Sequence, residues 1–267
     1  MLKWAVLSLY LAIHCFAGTP EIYREMVRRS LELREENVRK LKSYSLVRKS
    51  RKIEYDADGK LRNRESWTVT VDWIDGVRVA RVTLRNGKPL EGDELRQVEE
   101  EVRKEIAERK SGTRPQNQFE QDEEYLKEVP DAVDFRLVGT EVVGGRECWV
   151  LAFHPRRGYQ PKQLRSRILQ KVRGRVWIDK LDGNFSKVDV EVFDTVNYGF
   201  GILAKIEKGT RVQVYQAPLE PGLWAPRRLV VNYEVRVMLI KSVRHTIETV
   251  YTDYRKRGFA PDIRAGQ

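Results

Sequence analysis

Apolar residues first recur at a helical spacing and then, from Tyr44 onward, at every second position. Thr19 and Pro20 supply an N-cap and a first-turn proline, and the stretch to about Leu41 is rich in helix formers, with Ile22, Met26, Leu33 and Val38 spread through it. This predicts one long amphipathic helix whose charged residues, from Arg24 to Lys42, face water or lay their stems over a sheet. The change of period is clearest in WTVTVDW, where Trp67, Val69, Val71 and Trp73 share one side of a strand and Thr68, Thr70 and Asp72 the other. DADGK at 56–60, Asp75-Gly76 and Asn86-Gly87 read as hairpin turns, because such residues tolerate positive φ. The chain therefore opens as a helix followed by an antiparallel meander.

A second helix interrupts the strands. Asp93 can cap it, and Leu95, Val98, Val102 and Ile106 form a narrow stripe among charged residues up to Lys110, suited to resting on an apolar surface. Ser111 to Asp122, with Gly112, Pro115, Asn117 and several Gln, is the expected flexible segment. DFRLVGTEVV, a Gly144-Gly145 turn and RECWVLAFHP then predict another hairpin. Its second strand is apolar on both sides, with Cys148, Val150 and Ala152 opposite Trp149, Leu151 and Phe153, as a central strand covered on both faces would be. Further strands are expected at Gly174 to Asp179, Ser186 to Val196, Thr210 to Ala217, Arg227 to Ile240 and Val243 to Tyr254. The last two are long, and long strands curl. The predicted architecture is α+β and mainly β: a large, curved antiparallel sheet, an unclosed barrel, with an N-terminal helix and an inserted lid helix. The tail 258–267 is expected to be disordered.

The first residues change the picture of place. Met-Leu-Lys, an uncharged run from Trp4 to Phe16, then Ala17 and Gly18 are the three parts of a secretory signal peptide. Cys15 is a poor lipid anchor, because a lipoprotein signal wants a small residue directly before the cysteine and Leu three places before it, where this chain has His14 and Ala12. Ordinary cleavage fits better, giving a signal at 1–17, one mature domain at 18–257 and a periplasmic location. The mature chain then keeps one cysteine, Cys148, expected as an inert core residue because one thiol forms no internal bridge.

Charge changes the expected partners. The formal net charge of +11 falls only to +10 when Lys3 leaves with the signal, so the excess belongs to the folded part. For an exported protein this points to anionic lipid head groups, acidic polymers or acidic proteins and away from nucleic acid. Catalytic chemistry is not indicated. His154 and His245 sit in no metal-binding spacing, no G-x-S-x-G elbow occurs, and DADG lacks the ligands of a calcium loop. Asp189 and Glu191 share a strand face, which charged exposed positions explain more simply than a glycosidase pair. No cofactor and no metal are expected.

Two features remain. Trp67, Trp73, Trp149, Phe153 and Trp177, with Phe193 and Tyr233, load the strand faces with aromatics. They read as core, or as the lining of an apolar groove on the concave side, with Val69, Val71 and Leu151 beside them. From Pro155 to Ile178 the chain carries eight basic residues and no acid. That run reads as a solvated loop or as an anion-docking edge, with Arg156, Arg157, Arg165 and Arg167 the residues fitted to grip phosphate or carboxylate.

In its order of elements the chain resembles the bacterial lipoprotein-carrier superfamily of the LolA, LolB and RseB type. DFRLVG, GGRECWVLAFHPRRGY and GRVWIDK also resemble stretches of exported proteins described as outer-membrane lipoprotein-sorting proteins. The resemblance covers about 20–257 and has no short diagnostic motif. It implies a non-enzymatic periplasmic carrier for lipid or lipoprotein acyl chains. The long inserted helix and the basic balance leave a second reading open, an envelope sensing module that binds an acidic protein or polymer.

Overall fold

The computed structural model describes residues 20–113, 124–198, 204–237 and 241–257. The segment expected to be a signal, with Cys15, most of the 111–122 segment and the tail 258–267 lie outside the described residues.

Helix α1 (Pro20–Leu41) leads into β1 (Tyr44–Tyr55), β2 (Leu61–Ile74), β3 (Val77–Arg85) and the two-residue β4 (Lys88–Pro89). The predicted turns form as their residues require, with left-handed φ of 50° and 81° at Asp75 and Gly76 and 49° and 79° at Asn86 and Gly87. Helix α2 (Gly92–Lys110) follows, then a short 3-10 turn and a one-turn α3 (Val129–Ala132). The hairpin β5 (Val133–Val143) and β6 (Arg146–Pro155), a 3-10 turn at Arg165–Gln170, and β7 (Val172–Asp179) and β8 (Phe185–Val192) come next. The expected strand at 186–196 divides. It leaves the main sheet at Val192, and β9 (Val196–Tyr198) pairs with β10 (Ala204–Ile206) in a small separate sheet. β11 (Arg211–Glu220), β12 (Leu223–Val237) and β13 (Lys241–Lys256) complete the chain.

Eleven strands form one antiparallel sheet in the order β4-β3-β2-β1-β13-β12-β11-β8-β7-β6-β5. Its outermost strands, β4 and β5, do not pair with each other, so the sheet stays open. The architecture expected from the resemblance, an unclosed antiparallel sheet behind an N-terminal helix, is the one observed.

Helix α1 buries Tyr23 and Val27 in the main core, against Val133, Phe135, Leu151, Val176, Ile178 and Phe185. Toward its C-terminus the buried residues are polar. Ser30 Oγ donates to Gly183 O at 2.7 Å, Asn37 Nδ2 donates to Asn184 Oδ1 at 2.7 Å, and Asn37 Oδ1 accepts from Trp224 N at 3.1 Å. Ile22, a presumed core position, is 52% exposed. The turn that α1 grips is itself braced: Arg146 gives Asp179 two bonds of 2.7 and 2.8 Å and reaches Asp182 at 2.7 Å, and Asp182 accepts from Trp224 Nε1 at 3.0 Å.

Helix α2 rests on β3, where Val102 and Ile106 pack against Val77, Val79 and Ile74. Cross-strand pairing puts Ile74 and Val77 together and Trp73 with Arg78. The helix therefore covers the side of β3 opposite to Trp73, because neighbouring strand residues point to opposite faces.

Gly174 marks a close approach of backbone. A Cβ there would lie 2.0 Å from the Asp189 carbonyl oxygen and 3.0 Å from the Phe153 ring, so no larger residue fits without moving the strand.

Candidate functional site

Residues paired across an antiparallel ladder share a face, so the register can be followed from β3 to β5. Val71 pairs with Ala80 and Leu46, Val69 with Val82 and Arg48, and Trp67 with Ser50. Arg48 pairs with Tyr251, Ser50 with Thr249 and Lys52 with Ile247 on β13. Thr249 faces Leu229 and Ile247 faces Val231 on β12, which face Val214 and Val212 on β11, which face Val188 and Val190 on β8. Val188 pairs with Val176, Val176 with Leu151, and Leu151 with Leu137. This face is apolar over much of β2 and from β12 to β5, and between them β1 and β13 bring Arg48, Ser50, Lys52 and Thr249 onto it.

Different parts of this face meet different fates. Over β5 to β8 it is closed by α1, and the small β9–β10 sheet and the 3-10 turn at Arg165–Gln170 pack beside it around Val172, Val192 and Val196. On β1 and β2, Leu46, Val69 and Val71 form a second buried cluster with Trp67, Val82, Tyr251 and Tyr254 around them. Between the two, Val212, Val214, Leu229, Val231 and Ile247 stay half-buried, and none belongs to a buried cluster.

Seven of the eight aromatic and aliphatic positions singled out in the sequence stand on this face, in two groups. Trp67, Val69, Val71 and Trp73 are at one side, and Trp149, Leu151 and Phe153 are seven strand steps away, about 34 Å at ~4.8 Å per step. Leu151 is sealed under α1, Phe153 meets Phe135 at 6.2 Å, and Trp149 lies at the margin with the Lys180 ammonium 4.5 Å from its ring centre. Trp177 points the other way. It covers Cys148 and Val150 on the reverse face, donates to Glu141 at 2.8 Å, and has Lys187 4.2 Å above its ring. This explains why β6 is apolar on both sides. Burial pushes the Cys148 thiol up in pKa, as an inert core thiol requires.

The strip has charged ends. At one, Lys52 meets Glu54 at 2.7 Å, Glu54 lies 3.6 Å from His245 Nδ1, and His245 stacks on Tyr233 at 4.9 Å. Burial, then Lys52, lowers the His245 pKa and keeps the ring neutral at pH 7. At the other stand Arg48 and Arg78, two residues that composition and motif left unremarked. Only the pairing of β1 with β13 and of β3 with β2 brings them onto the tryptophan face.

The basic loop is anchored by an acid outside it. Glu128, 5% exposed, accepts from the Tyr159 hydroxyl, from Ser166 Oγ and from Lys162 N at 3.1 Å. Burial would raise its pKa, but these bonds outweigh burial and lower it. Arg156 is held by Asp134 at 2.8 Å and by the Pro130 and Val133 carbonyls. Arg157, Arg165 and Arg167 are exposed. The four positions expected to dock an anion are thus divided between one internal brace and three surface residues.

The reverse face carries an open depression of 660 Å³ lined by Arg173, Arg175, Lys187, Arg211, Asp189 and Glu191 among others. Arg211 bonds Asp189 at 2.7 and 2.6 Å, and Arg173 bonds Glu191 at 3.1 Å. Burial raises the Asp189 pKa, but the bonds from Arg211 and Gln213 outweigh it, so this carboxyl is held low, opposite to the need of a general acid.

No protein-family model matches the chain, and no curated protein matches it. Solved structures that resemble it include a putative outer membrane lipoprotein-sorting protein domain from Vibrio parahaemolyticus, at 12% identity over 88% of this chain and 95% of that one, with a TM-score of 0.34. A LolA superfamily protein from Nitrosomonas europaea matches at 9% identity over 94% and 99% of the two chains, TM-score 0.30. The MucA/MucB complex of Pseudomonas aeruginosa matches at 12% identity over 87% and 99%, TM-score 0.26.

Proposed function

We propose that this chain is an exported, non-catalytic binding protein that shelters the acyl chains of lipids or lipoproteins in the periplasm, on the half-buried strip between the two buried clusters. One observation carries the reading: Val212, Val214, Leu229, Val231 and Ile247 share one face of β11, β12 and β13 and remain half-buried. An acyl chain laid there would remove apolar surface from water at about 25 cal/mol per Å² on both partners. The resemblance to lipoprotein carriers agrees in kind, and the apolar face needs no reacting group.

A charge placed in the strip tests this. Val231→Asp should fold, because Val231 is only half-buried, and should lose acyl binding, read by displacement of Nile red with dodecanol. Full binding by a folded Val231→Asp variant removes the strip from the site. The second reading, docking of an acidic envelope protein or polymer, draws on Arg157, Arg165 and Arg167 on the loop that Glu128 anchors. Charge reversal at Arg165 and Arg167 would weaken that binding, and salt would weaken it further.

A further inference from the structure

Among the described residues, the half-buried Arg146, Arg156 and Arg109 are each held by a carboxylate, of Asp179, Asp134 and Glu105. Arg48 and Arg78, also half-buried, are not. Among the described residues neither forms an ion pair, and the one hydrogen bond of Arg78 is from Nε to the Tyr44 carbonyl at 3.2 Å. Arg48 Nε is sealed from solvent without an acceptor, and so is Trp73 Nε1 on the same face.

The register puts these donors on one face, on either side of the row formed by Leu46, Val71 and Ala80. Arg78 is paired with Trp73, and Arg48 lies beside Val69 and Tyr251. The Arg257 guanidinium stands 4.7 Å from the Trp73 ring centre, adding a third cation. Burial, with the neighbouring Arg48 next, depresses the Arg78 pKa, and no carboxylate is among the charges that act on it. Like charges gathered in a half-buried place, with sealed donors beside them, are complementary to an anion.

We propose that the strip takes a fatty acid, its carboxylate received by Arg48 and Arg78 and its chain lying along Leu229, Val231 and Val214. This rests on the acyl-binding reading above and adds the head group. A carboxylate offers one oxygen to each guanidinium fork and carries no further substituent to bury. A phosphodiester would bring its glycerol into the same enclosed place.

The test is calorimetry on the full chain with dodecanoate and with uncharged dodecanol. Dodecanoate should bind about tenfold tighter or more. In Arg48→Gln and Arg78→Gln that ratio should fall to about one, Arg48→Lys should restore part of it, and Arg103→Gln, at an exposed position of α2, should leave it unchanged. A ratio cancels any general loss of folded protein, and the wild-type ratio alone decides should a variant fail to fold. Equal binding of the two ligands to wild type would overturn the head-group assignment and leave the acyl reading standing. Binding of neither would overturn both. Capture of phosphatidylglycerol vesicles without dodecanoate binding would also overturn the fatty acid.

Discussion

Two regions of one sheet face read alike in sequence and differ in their surroundings. Over β5 to β8, Leu151 and Val176 are sealed by α1, and the helix is held by buried polar bonds from Ser30 and Asn37 as well as by Tyr23 and Val27. Over β11, β12 and β13, residues of the same type and spacing, Val214, Leu229, Val231 and Ile247, stay half-buried, and among the described residues Arg48 and Arg78 at one end form no ion pair. Alternation gives a strand one apolar side; it does not say what covers that side. The closed region spends its apolar surface on stability, and on the reading proposed above the open one keeps it for a ligand.

The contrast can be broken or sharpened by mutation. The largest effect is expected at the brace of the closed region. Asp179 is 1% exposed and depends on Arg146, so Arg146→Ala should cost about 3 kcal/mol by stranding a buried charge, read as a fall in the urea midpoint. Next is a matched pair on the same face. Leu151→Ala, in the sealed region, should cost about 3 kcal/mol, and Leu229→Ala, in the open strip, less than about 1 kcal/mol. Equal losses would erase the distinction between the regions.

A smaller effect follows from pH. Glu128, Asp179 and Asp189 all have folded pKa values below their unfolded ones; burial opposes this, and bonds from Ser166 and Tyr159, from Arg146, and from Arg211 outweigh it. The unfolded chain therefore binds more protons as pH falls. Their stabilisation is complete above about pH 5 and is lost below about pH 4, as pH drops through the unfolded and then the folded values. Urea midpoints between pH 3 and pH 7 check this, and Glu128→Gln should flatten part of the acid limb. The smallest effect is expected at His154, exposed and bonded only to its neighbour's carbonyl, where His154→Gln should leave stability within about 0.5 kcal/mol.

Much of the sheet was legible because local chemistry decides it. WTVTVDW, the Asp-Gly and Asn-Gly turns and the long last strands form where their residues put them. The site was legible only in part. Trp67, Val69, Val71 and Trp73 share a face as their spacing implies, yet Trp177 lies on the reverse face, because only the pairing of β7 with β6 fixes which side it takes. Arg48 looked like one more cation in a basic segment, and its place beside Tyr251 is set by a strand two hundred residues away in sequence. On α1, the expectation rested on apolar residues such as Ile22, whereas Ser30 and Asn37 are buried in its place because Gly183, Asn184 and Trp224 satisfy them.

The central claim is that the open strip shelters an acyl chain. Native mass spectrometry of the protein secreted into a Gram-negative periplasm, compared with its denatured mass, tests it most directly. The account predicts a non-covalent adduct of lipid size that leaves on denaturation and is missing from Val231→Asp. A bare native mass that stays bare after incubation with dodecanoate, or an adduct retained in full by Val231→Asp, would contradict it.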